Sequence, residues 1–354
     1  MSSPGNPPAT SHPSRVSDTG ERALIERIRR RVPAPPGELL VGIGDDAAVA
    51  APDRGALQVL TTDALVEGVH FDRRFSTPSD IGYKALAVNI SDVASMGGTS
   101  RFALLSLMIP GETTVDEIDG LLDGLLGLAA EARVTLAGGN ITRSPGPLVV
   151  DVTVIGSVKP RKVLTRAGGR AGDALYVTGW IGAAAAGLRW LRAEAERQVK
   201  GAFVPRPVTA AHNECVARYC RPEPRARIGA LLGRTRTASA CMDLSDGLAD
   251  AVTQLAAASE TGATIDASSL PIHPGAADWF TTAGEDPAAA CVAGGDDYEL
   301  LFAVPRRTRS RLRGVIQDAR GVPITRIGEL TADRTIGLVR GGQMEPLPRG
   351  FVHF

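Results

Sequence analysis

Aspartates recur in five short segments that also contain glycine, threonine or serine, and this recurrence limits how the chain can fold. The segments are GIGDDAAV (42–49), TTDALVEGVHF (61–71), NISDVASMGG (89–98), DLSDGLAD (243–250) and AGGDDYEL (293–300). Two like charges about 4 Å apart repel by roughly 4 kcal/mol at an effective dielectric constant of 20. Mg²⁺ is commonly held by one or two carboxylates together with substrate phosphates. The segments therefore indicate several metal ions around a polyphosphate; the alternative is ordinary Asx turns on separate loops.

The composition allows two domains and excludes several classes of protein. The chain has 354 residues, of which 44% are hydrophobic, enough for two separate cores. Lys plus Arg and Asp plus Glu both number 39, so there is no basic surplus for nucleic acid or an anionic membrane. The sequence offers neither an apolar signal segment nor a membrane span, and its four cysteines form no CxxC pair. A cytoplasmic protein is the expectation.

Strand and helix patterns alternate along the chain. Residues 1–20 are rich in serine and proline and are expected to form a disordered tail. Apolar periodicity predicts helices over 21–31, 78–96, 115–131, 181–191 and 247–259, and strands over 57–62, 134–137, 148–155, 174–178, 263–265 and 298–304. The composition shifts to Arg, Lys and Gly over 159–172. We therefore place an N-terminal domain at 21–160 and a C-terminal domain at 161–354.

Two common nucleotide-binding motifs do not account for the acidic segments. Gly42-x-Gly44-x-x-Ala47 formally fits a dinucleotide fingerprint, but Asp45 and Asp46 would repel a bare pyrophosphate in that turn. A Pro and a Gly also interrupt the following segment, where the crossover helix should run. No Gly-Lys-Ser/Thr of a Walker A loop occurs. Any phosphates must therefore be held by another device.

Several single positions have a functional and a structural interpretation. Asp92 falls on the apolar stripe of its predicted helix, where a carboxylate must bind metal or pair with an arginine. Asp243, Ser245 and Asp246 precede a helix, so they could bind an anion or metal, or cap the helix. Asp296 could bind a substrate base or belong to a hairpin turn. His70 alone would be an ordinary surface histidine.

In order along the chain, GIGDDAA, TTDALVEGVHF, YKALAVNISDVASMGG, LTRAGGRAGD, DLSDGL and GGDDYEL resemble thiamine-monophosphate kinase. The likeness covers nearly the whole chain after the tail. It implies an α/β (α+β) protein with the two-domain AIR synthase/PurM-like fold, whose N-terminal mixed sheet forms a homodimer interface and whose C-terminal domain is α/β. It also implies transfer of a phosphoryl group from ATP to thiamine monophosphate, giving thiamine diphosphate, with several Mg²⁺ ions and no phosphoenzyme. No general base is expected.

The resemblance also implies roles for individual residues. The implied Mg²⁺ ligands are Asp46, Thr61, Thr62, Asp63, Asp92, Asn140, Asp243 and Asp246. The implied ATP contacts are Gly139, Asn140, Arg166 and Ser245, and the implied thiamine monophosphate contacts are His70, Asp296 and Phe351.

The chain departs from the family pattern at several of these places. Asn140 stands where the family commonly has a metal-binding Asp, so we expect weaker binding of one metal rather than lost activity. Ala183 and Ala184 replace two polar residues near a helix start, and Asp296 replaces a Glu. Phe351 is expected to take the place of a C-terminal aromatic residue that covers the thiamine. These changes affect substrate contacts more than the reaction.

Two rival interpretations remain open from the sequence. One is another enzyme of the same superfamily, such as aminoimidazole ribonucleotide synthetase, which VEGVHF and DDYEL do not support. The other is a noncatalytic nucleotide-binding homologue, for which Asn140 and Ala183 would be marks of decay. The other acidic positions argue against that second interpretation, and metal-dependent ATP turnover would distinguish it.

Overall fold

The computed structural model describes residues 14–199 and 209–350. Its helices are α1 Val16–Thr19, α2 Glu21–Arg31, α3 Pro78–Ser95, α4 Val115–Ala132, α5 Ala183–Val199, α6 Ala210–Cys220, α7 Ala226–Thr235, α8 Leu248–Ala258, α9 Pro274–Thr282, α10 Pro287–Ala293 and α11 Arg309–Asp318. Its strands are β1 Leu39–Val41, β2 Val49–Ala50, β3 Leu57–Val66, β4 Thr99–Pro110, β5 Thr135–Ser144, β6 Val149–Val158, β7 Ala174–Thr178, β8 Ala240–Asp243, β9 Gly262–Asp266, β10 Leu300–Val304, β11 Ile324–Thr331, β12 Ile336–Arg340 and β13 Gln343–Pro346.

The first half is built on a four-stranded sheet of order β3-β6-β4-β5. The β4–β5 pair is parallel and the other pairs are antiparallel. In β6, buried and partly exposed residues alternate along the whole strand, because successive side chains of a strand point to opposite faces. One face packs under α3 and α4 around a core that includes Leu107, Val150 and Val152. The other face, which we call the open face, packs in part on the β1–β2 pair, where Leu39 meets Phe102 and Ala137.

The second half is built on a seven-stranded sheet of order β13-β12-β9-β11-β7-β10-β8. Only the β12–β9 pair is parallel among its neighbouring strands. Both faces are covered: a core that includes residues of α5, α8, α9 and α10 lies on one face, and residues of α7 and α11 lie on the other. Every residue of β10 is apolar and buried, as expected for a strand of a sheet that is covered on both faces.

Helix α3 joins the two halves. It packs on β3 and β6 of the first sheet and also contacts α7 and β8 of the second half. Thr77 caps its N-terminus in a capping box with Asp80, and Pro78 occupies the first turn, where a missing N–H costs nothing. Residues on α3 can therefore meet residues from the acidic segments of either half.

The predicted helices and strands are found, with differences in extent at several places. The strand predicted to end at Thr62 continues to Val66, so Asp63 lies inside β3 and the expectation of a turn there is wrong. Strand β4, at the centre of the first half, was not predicted. Residues 1–13 of the expected tail lie outside the described residues. Val16–Thr19 form a helical turn instead, and the Val16 N–H joins it to the rest of the first half by donating to Thr113 O at 2.9 Å.

Two helices of the first half, α3 and α4, have 18 residues each. Neither they nor any other helix within residues 14–199 and 209–350 combines the length and apolar character needed to cross a bilayer.

Candidate functional site

Three carboxylates from both halves of the chain meet beside α3. Asp63 lies in β3, Asp92 lies in α3, and Asp243 ends β8. The hydroxyl of Thr61 donates to Asp92 Oδ2 at 2.5 Å, and that of Ser91 donates to Asp243 Oδ2 at 2.6 Å. We call these three carboxylates the junction cluster. The cluster joins acidic segments that are far apart in the sequence.

Burial raises the pKa of Asp63, Asp92 and Asp243. The charge of Asp92 raises the pKa of Asp63 and of Asp243 further, because each ionised carboxylate disfavours ionisation of its neighbours. The hydroxyl of Thr61 and the charge of Arg166 act in the opposite direction on the pKa of Asp92. A bound cation would relieve this repulsion, and the all-oxygen donors suit Mg²⁺. Within the described residues, however, no group of three or more His, Cys, Asp or Glu side chains is arranged as a ready-made metal site.

Ser245 and Asp246 lie between the junction cluster and α8. The charge of Asp246 contributes to raising the pKa of Asp63, which places this carboxylate within electrostatic reach of the cluster. Gly247 is the N-cap residue of α8 and no side chain caps the helix there, so the interpretation of Ser245 or Asp246 as a cap is wrong. The Ser245 hydroxyl instead donates to Asp246 Oδ2 at 3.2 Å.

Asp46, Thr62, Gly139 and Asn140 lie on or beside the open face of the first sheet. Asp46, Gly139 and Asn140 line a cavity of about 1180 Å³. The Thr62 hydroxyl donates to Asp151 Oδ1 at 3.0 Å. Asp151, which also lines the cavity, was missed by the sequence reasoning. Its signal is the single acidic residue in the alternating run VVDVTV.

Strand geometry explains why the predicted metal ligands divide into two groups. Thr61 and Asp63 point from β3 towards α3, whereas Thr62 between them points to the open face. On the open face, Ser106 of β4 is paired with Asp151 of β6 on one side and with Asn140 of β5 on the other. The structure thus brings Thr61, Asp63, Asp92 and Asp243 together, with Asp246 near them. It places Asp46, Thr62 and Asn140 with Asp151 across the sheet.

Arg166 is exposed and is tied to α8 by a short chain of hydrogen bonds. Its guanidinium donates to Gln254 Oε1, and Gln254 Nε2 donates to Asp250 Oδ2 at 2.5 Å. The backbone carbonyl of Arg166 accepts from the Ser259 hydroxyl at 3.1 Å. Its charge lowers the pKa of Asp92. Arg166 therefore lies close enough to the junction cluster to act on it electrostatically.

His70 and Asp296, from opposite halves, are brought together by Lys84. Lys84 Nζ donates to Asp296 Oδ2 at 3.2 Å and to the backbone carbonyl of His70 at 3.4 Å. The Tyr219 hydroxyl donates to the same carbonyl at 3.2 Å. Neither Lys84 nor Tyr219 was among the predicted site residues. The signal for Lys84 would have been a lysine among the apolar residues of the predicted helix, three residues after Ile81 and four before Val88.

The remaining C-terminal candidate, Phe351, lies outside the described residues. The last described residue, Gly350, approaches the beginning of α8: a Cβ atom there would lie 2.8 Å from the carbonyl oxygen of Asp246. The chain therefore reaches Asp246 one residue before Phe351.

The acidic residues beside Asp296 have structural partners. Asp297 is buried and accepts from the N–H groups of Gly182 at 2.7 Å and Ala184 at 3.3 Å, at the beginning of α5. Burial raises its pKa to about 8. Glu299 forms a buried ion pair with Arg225. Of the three acidic residues in the segment DDYE, Asp296 is therefore the one whose side chain pairs with the first half of the chain.

Comparison with known proteins agrees with this two-part architecture. The family model described as AIR synthase related protein, N-terminal domain, matches residues 44–158, and that of the C-terminal domain matches residues 170–340. Together they match well over half of the chain. The two sheets and the carboxylate-rich junction between them thus define an AIR synthase related protein.

Similarity to individual proteins narrows the class. The chain is 36% identical to thiamine-monophosphate kinase of Bacillus subtilis (strain 168) over 324 residues, which cover 89% of this chain and 93% of the relative. It is 36% identical to the Escherichia coli (strain K12) protein of the same name over 341 residues, covering 95% and 98%. The chain belongs to the thiamine-monophosphate kinase family.

Solved structures support the same assignment. A crystal structure of thiamine-monophosphate kinase from Stenotrophomonas maltophilia K279a superposes with a TM-score of 0.78 at 35% identity, covering 91% of this chain and 96% of that one. AaThiL complexed with AMPPCP and TMP superposes with a TM-score of 0.73 at 28% identity, covering 97% and 100%.

Proposed function

We propose that this chain phosphorylates thiamine monophosphate with ATP, giving thiamine diphosphate and ADP. The observation that carries the proposal is the family membership over nearly the full chain, joined to the AaThiL complex with AMPPCP, an ATP analogue, and TMP. The arrangement of oxygen donors at the junction of the two sheets supports it. Phosphoryl transfer needs little beyond in-line positioning and neutralisation of charge.

The metal ligands in this proposal are oxygen donors on both sides of the first sheet. They are Thr61, Asp63, Asp92, Asp243 and Asp246 around the junction cluster, and Asp46, Thr62 and Asn140 at the open face. When bound there, several Mg²⁺ ions would neutralise the nucleotide and acceptor phosphates. The raised pKa values of Asp63, Asp92 and Asp243 fit this assignment, because carboxylates that repel one another gain most from a shared cation.

The remaining residues bind and orient the two substrates. Arg166, held by Gln254, would contact the nucleotide together with Gly139, Asn140 and Ser245. Thiamine monophosphate would contact His70, Asp296 and Phe351. His70 Nδ1 accepts the Val66 N–H at 3.1 Å, so the neutral ring carries its proton on Nε2. No side chain is assigned as a general base, because the acceptor phosphate is already a nucleophile.

The proposal includes a homodimer in the cytoplasm, formed through the open face, with the domain boundary between residues 160 and 161. Four large apolar side chains are exposed in the strands of the first half: Leu40 and Leu60 are 66% exposed, Leu57 is 49% exposed and Val49 is 47% exposed. Leu60 points to the open face like Thr62, two residues further along β3, and an exposed apolar surface is a usual mark of a protein interface. A second copy of the chain would cover it and enclose the adjoining cavity.

The test is the formation of thiamine diphosphate from ATP, Mg²⁺ and thiamine monophosphate by the purified protein, with free thiamine as the control acceptor. Asp63→Asn is expected to lower kcat by roughly a hundredfold, whereas Asp318→Asn, at the exposed end of α11, should leave the rate unchanged. Metal chelation should abolish turnover. No product from the wild-type protein at high Mg²⁺ would leave the noncatalytic nucleotide-binding homologue as the better interpretation.

A further inference from the structure

Lys84 carries a buried positive charge at the junction of the two halves. It is one of four lysines in the chain, and its side chain on α3 is 4% exposed. A buried ammonium group is costly unless charged and polar partners replace its water. Its ion-pair partner, Asp296, is 212 residues away in the sequence. The buried charge of Lys84 therefore links two segments that are far apart in the sequence.

The contacts of Lys84 converge on the two proposed acceptor residues. Besides Asp296 Oδ2 and the His70 carbonyl, its Nζ lies 4.1 Å from the centre of the Tyr219 ring, a cation–π distance. Tyr298 donates to the other carboxylate oxygen of Asp296 at 3.3 Å. Lys84, Tyr219 and Tyr298 thus hold the Asp296 carboxylate on one side of the junction and the His70 carbonyl on the other.

The backbone around Asp296 is held independently of Lys84. Asp296 has a φ of 69°, in the left-handed region, which aspartate tolerates better than most residues. Its N–H donates to Ser245 O at 2.7 Å, which fixes the loop against the segment before α8. Loss of Lys84 would therefore release the carboxylate of Asp296 more than its backbone.

We infer that Lys84 is a positioning residue for the phosphate acceptor: it holds His70 and Asp296 in register across the junction and so determines affinity for thiamine monophosphate. The inference rests on the proposed function. It adds Lys84 to the acceptor site and separates the binding of thiamine monophosphate from that of ATP. In the proposed function ATP binds through Arg166, Ser245 and the residues of the open face, and the Lys84 side chain contacts His70, Asp296 and Tyr219 instead. Lys84 should consequently affect one substrate and not the other.

The test measures KM for each substrate in Lys84→Met, which keeps the length of the side chain but removes its charge. Loss of a charged hydrogen bond predicts a KM for thiamine monophosphate raised roughly tenfold to a hundredfold, with KM for ATP within about twofold of wild type. Lys84→Arg keeps the charge and should recover part of the affinity. Lys159→Met, which removes an exposed lysine charge, should change neither KM.

A double variant separates positioning from general stability. Because Lys84 acts in part through Asp296, the rise in KM for thiamine monophosphate in Lys84→Met/Asp296→Asn should be smaller than the product of the rises in the two single variants. Thermal unfolding of each variant detects a loss of folding. Independent, multiplying effects of the two changes, or equal rises in both KM values, would overturn the inference.

The proposed function can fail separately. Wild-type protein that makes no thiamine diphosphate but binds thiamine monophosphate in a calorimetric titration would refute the kinase proposal, and loss of that binding in Lys84→Met would still support the inference. Wild-type protein that neither turns over nor binds thiamine monophosphate would refute both.

Discussion

Asn140 contributes a neutral amide to the row of polar side chains on the open face. An aspartate at this position would add a negative charge. Asn140 is paired through Ser106 with Asp151 and lines the same cavity as Asp46. An amide oxygen can ligate Mg²⁺, but it contributes no charge to the attraction. The residue should therefore weaken one metal site without removing it.

We expect Asn140→Asp to lower the Mg²⁺ concentration for half-maximal activity by roughly tenfold, equivalent to about 1.4 kcal/mol. The measurement is the initial rate of thiamine diphosphate formation against free Mg²⁺ at saturating substrates. Thr142→Asp, an added charge at an exposed position of the same strand, is the control for a general field effect. An unchanged Mg²⁺ dependence in Asn140→Asp would remove Asn140 from the metal ligands.

His273 caps α9 through its side chain and ties stability to pH. Its Nδ1 accepts the Gly275 N–H at 3.1 Å and lies 3.4 Å from Cys215 Sγ, while Nε2 lies 3.2 Å from Glu214 Oε2. Protonation of Nδ1 would break the cap. Burial lowers the pKa of His273 below its ordinary value of 6.5, although Glu214 opposes this shift.

His273 therefore binds a proton more weakly in the folded state than in the unfolded state. The contribution of His273 to stability should be complete above about pH 6.5 and should decline as the pH falls below that value. His273→Asn keeps a capping side chain that does not titrate. We expect the difference in unfolding free energy between wild type and this variant to shrink from pH 7.5 to pH 5.5 in urea titrations; a constant difference would contradict the assignment.

Among the elements, α3 and α4 approach closely because each contributes a glycine to their contact. A Cβ atom on Gly82 would lie 1.8 Å from the carbonyl oxygen of Leu121, and one on Gly124 would lie 1.8 Å from that of Ser79. The close contact holds α3 against the first half, so the position of Asp92 and Lys84 depends on it.

Gly82→Ala should lower the free energy of unfolding by about 3 kcal/mol or more, because the added methyl group meets rigid backbone. Gly127→Ala in α4 is the matched control: a Cβ atom there would have no neighbouring atom within 4 Å, so better helix propensity should raise stability by about 0.5–1 kcal/mol. Chemical denaturation of both variants makes the comparison. Equal effects at the two positions would show that the helices can separate without cost.

Local sequence patterns predicted the helices of the first half better than they predicted strand β3. The helices α2, α3 and α4 were predicted to within a residue or two, because their periodicity and end signals are strong. The sequence TTD, with its polar residues, was interpreted as the end of a strand, yet β3 continues through it. Pairing with β6 along its whole length overrides the local preference.

For the whole molecule, the exposed apolar side chains of the first half predict a dimer in solution. Leu60→Asp would place a charge in the proposed interface, and we expect it to convert the dimer to a monomer at micromolar concentration. Ile316→Asp on α11, where the side chain is 45% exposed, should leave the dimer intact. Sedimentation velocity distinguishes the species; a wild-type monomer, or dissociation by both variants, would refute an interface at the open face.

The sequence indicated a site rich in carboxylate and hydroxyl oxygens, and such donors suit hard cations such as Mg²⁺, which bind substrate phosphates as well. The family and its two-part fold followed from the same motifs and are confirmed by the comparisons. The roles of individual site residues stay predictions.

Only the tertiary structure decided which of these residues meet. The hydrogen bond between Ser91 and Asp243 spans 152 positions, and no local pattern specifies such a pairing. The two-residue alternation of β3 sends Thr61 and Asp63 to the helix side and Thr62 to the open face, so neighbours in the sequence lie on different faces of the sheet. Lys84 acquires its partners in the same way: its charge is visible in the sequence, but its burial between His70 and Asp296 depends on packing α3 against both halves.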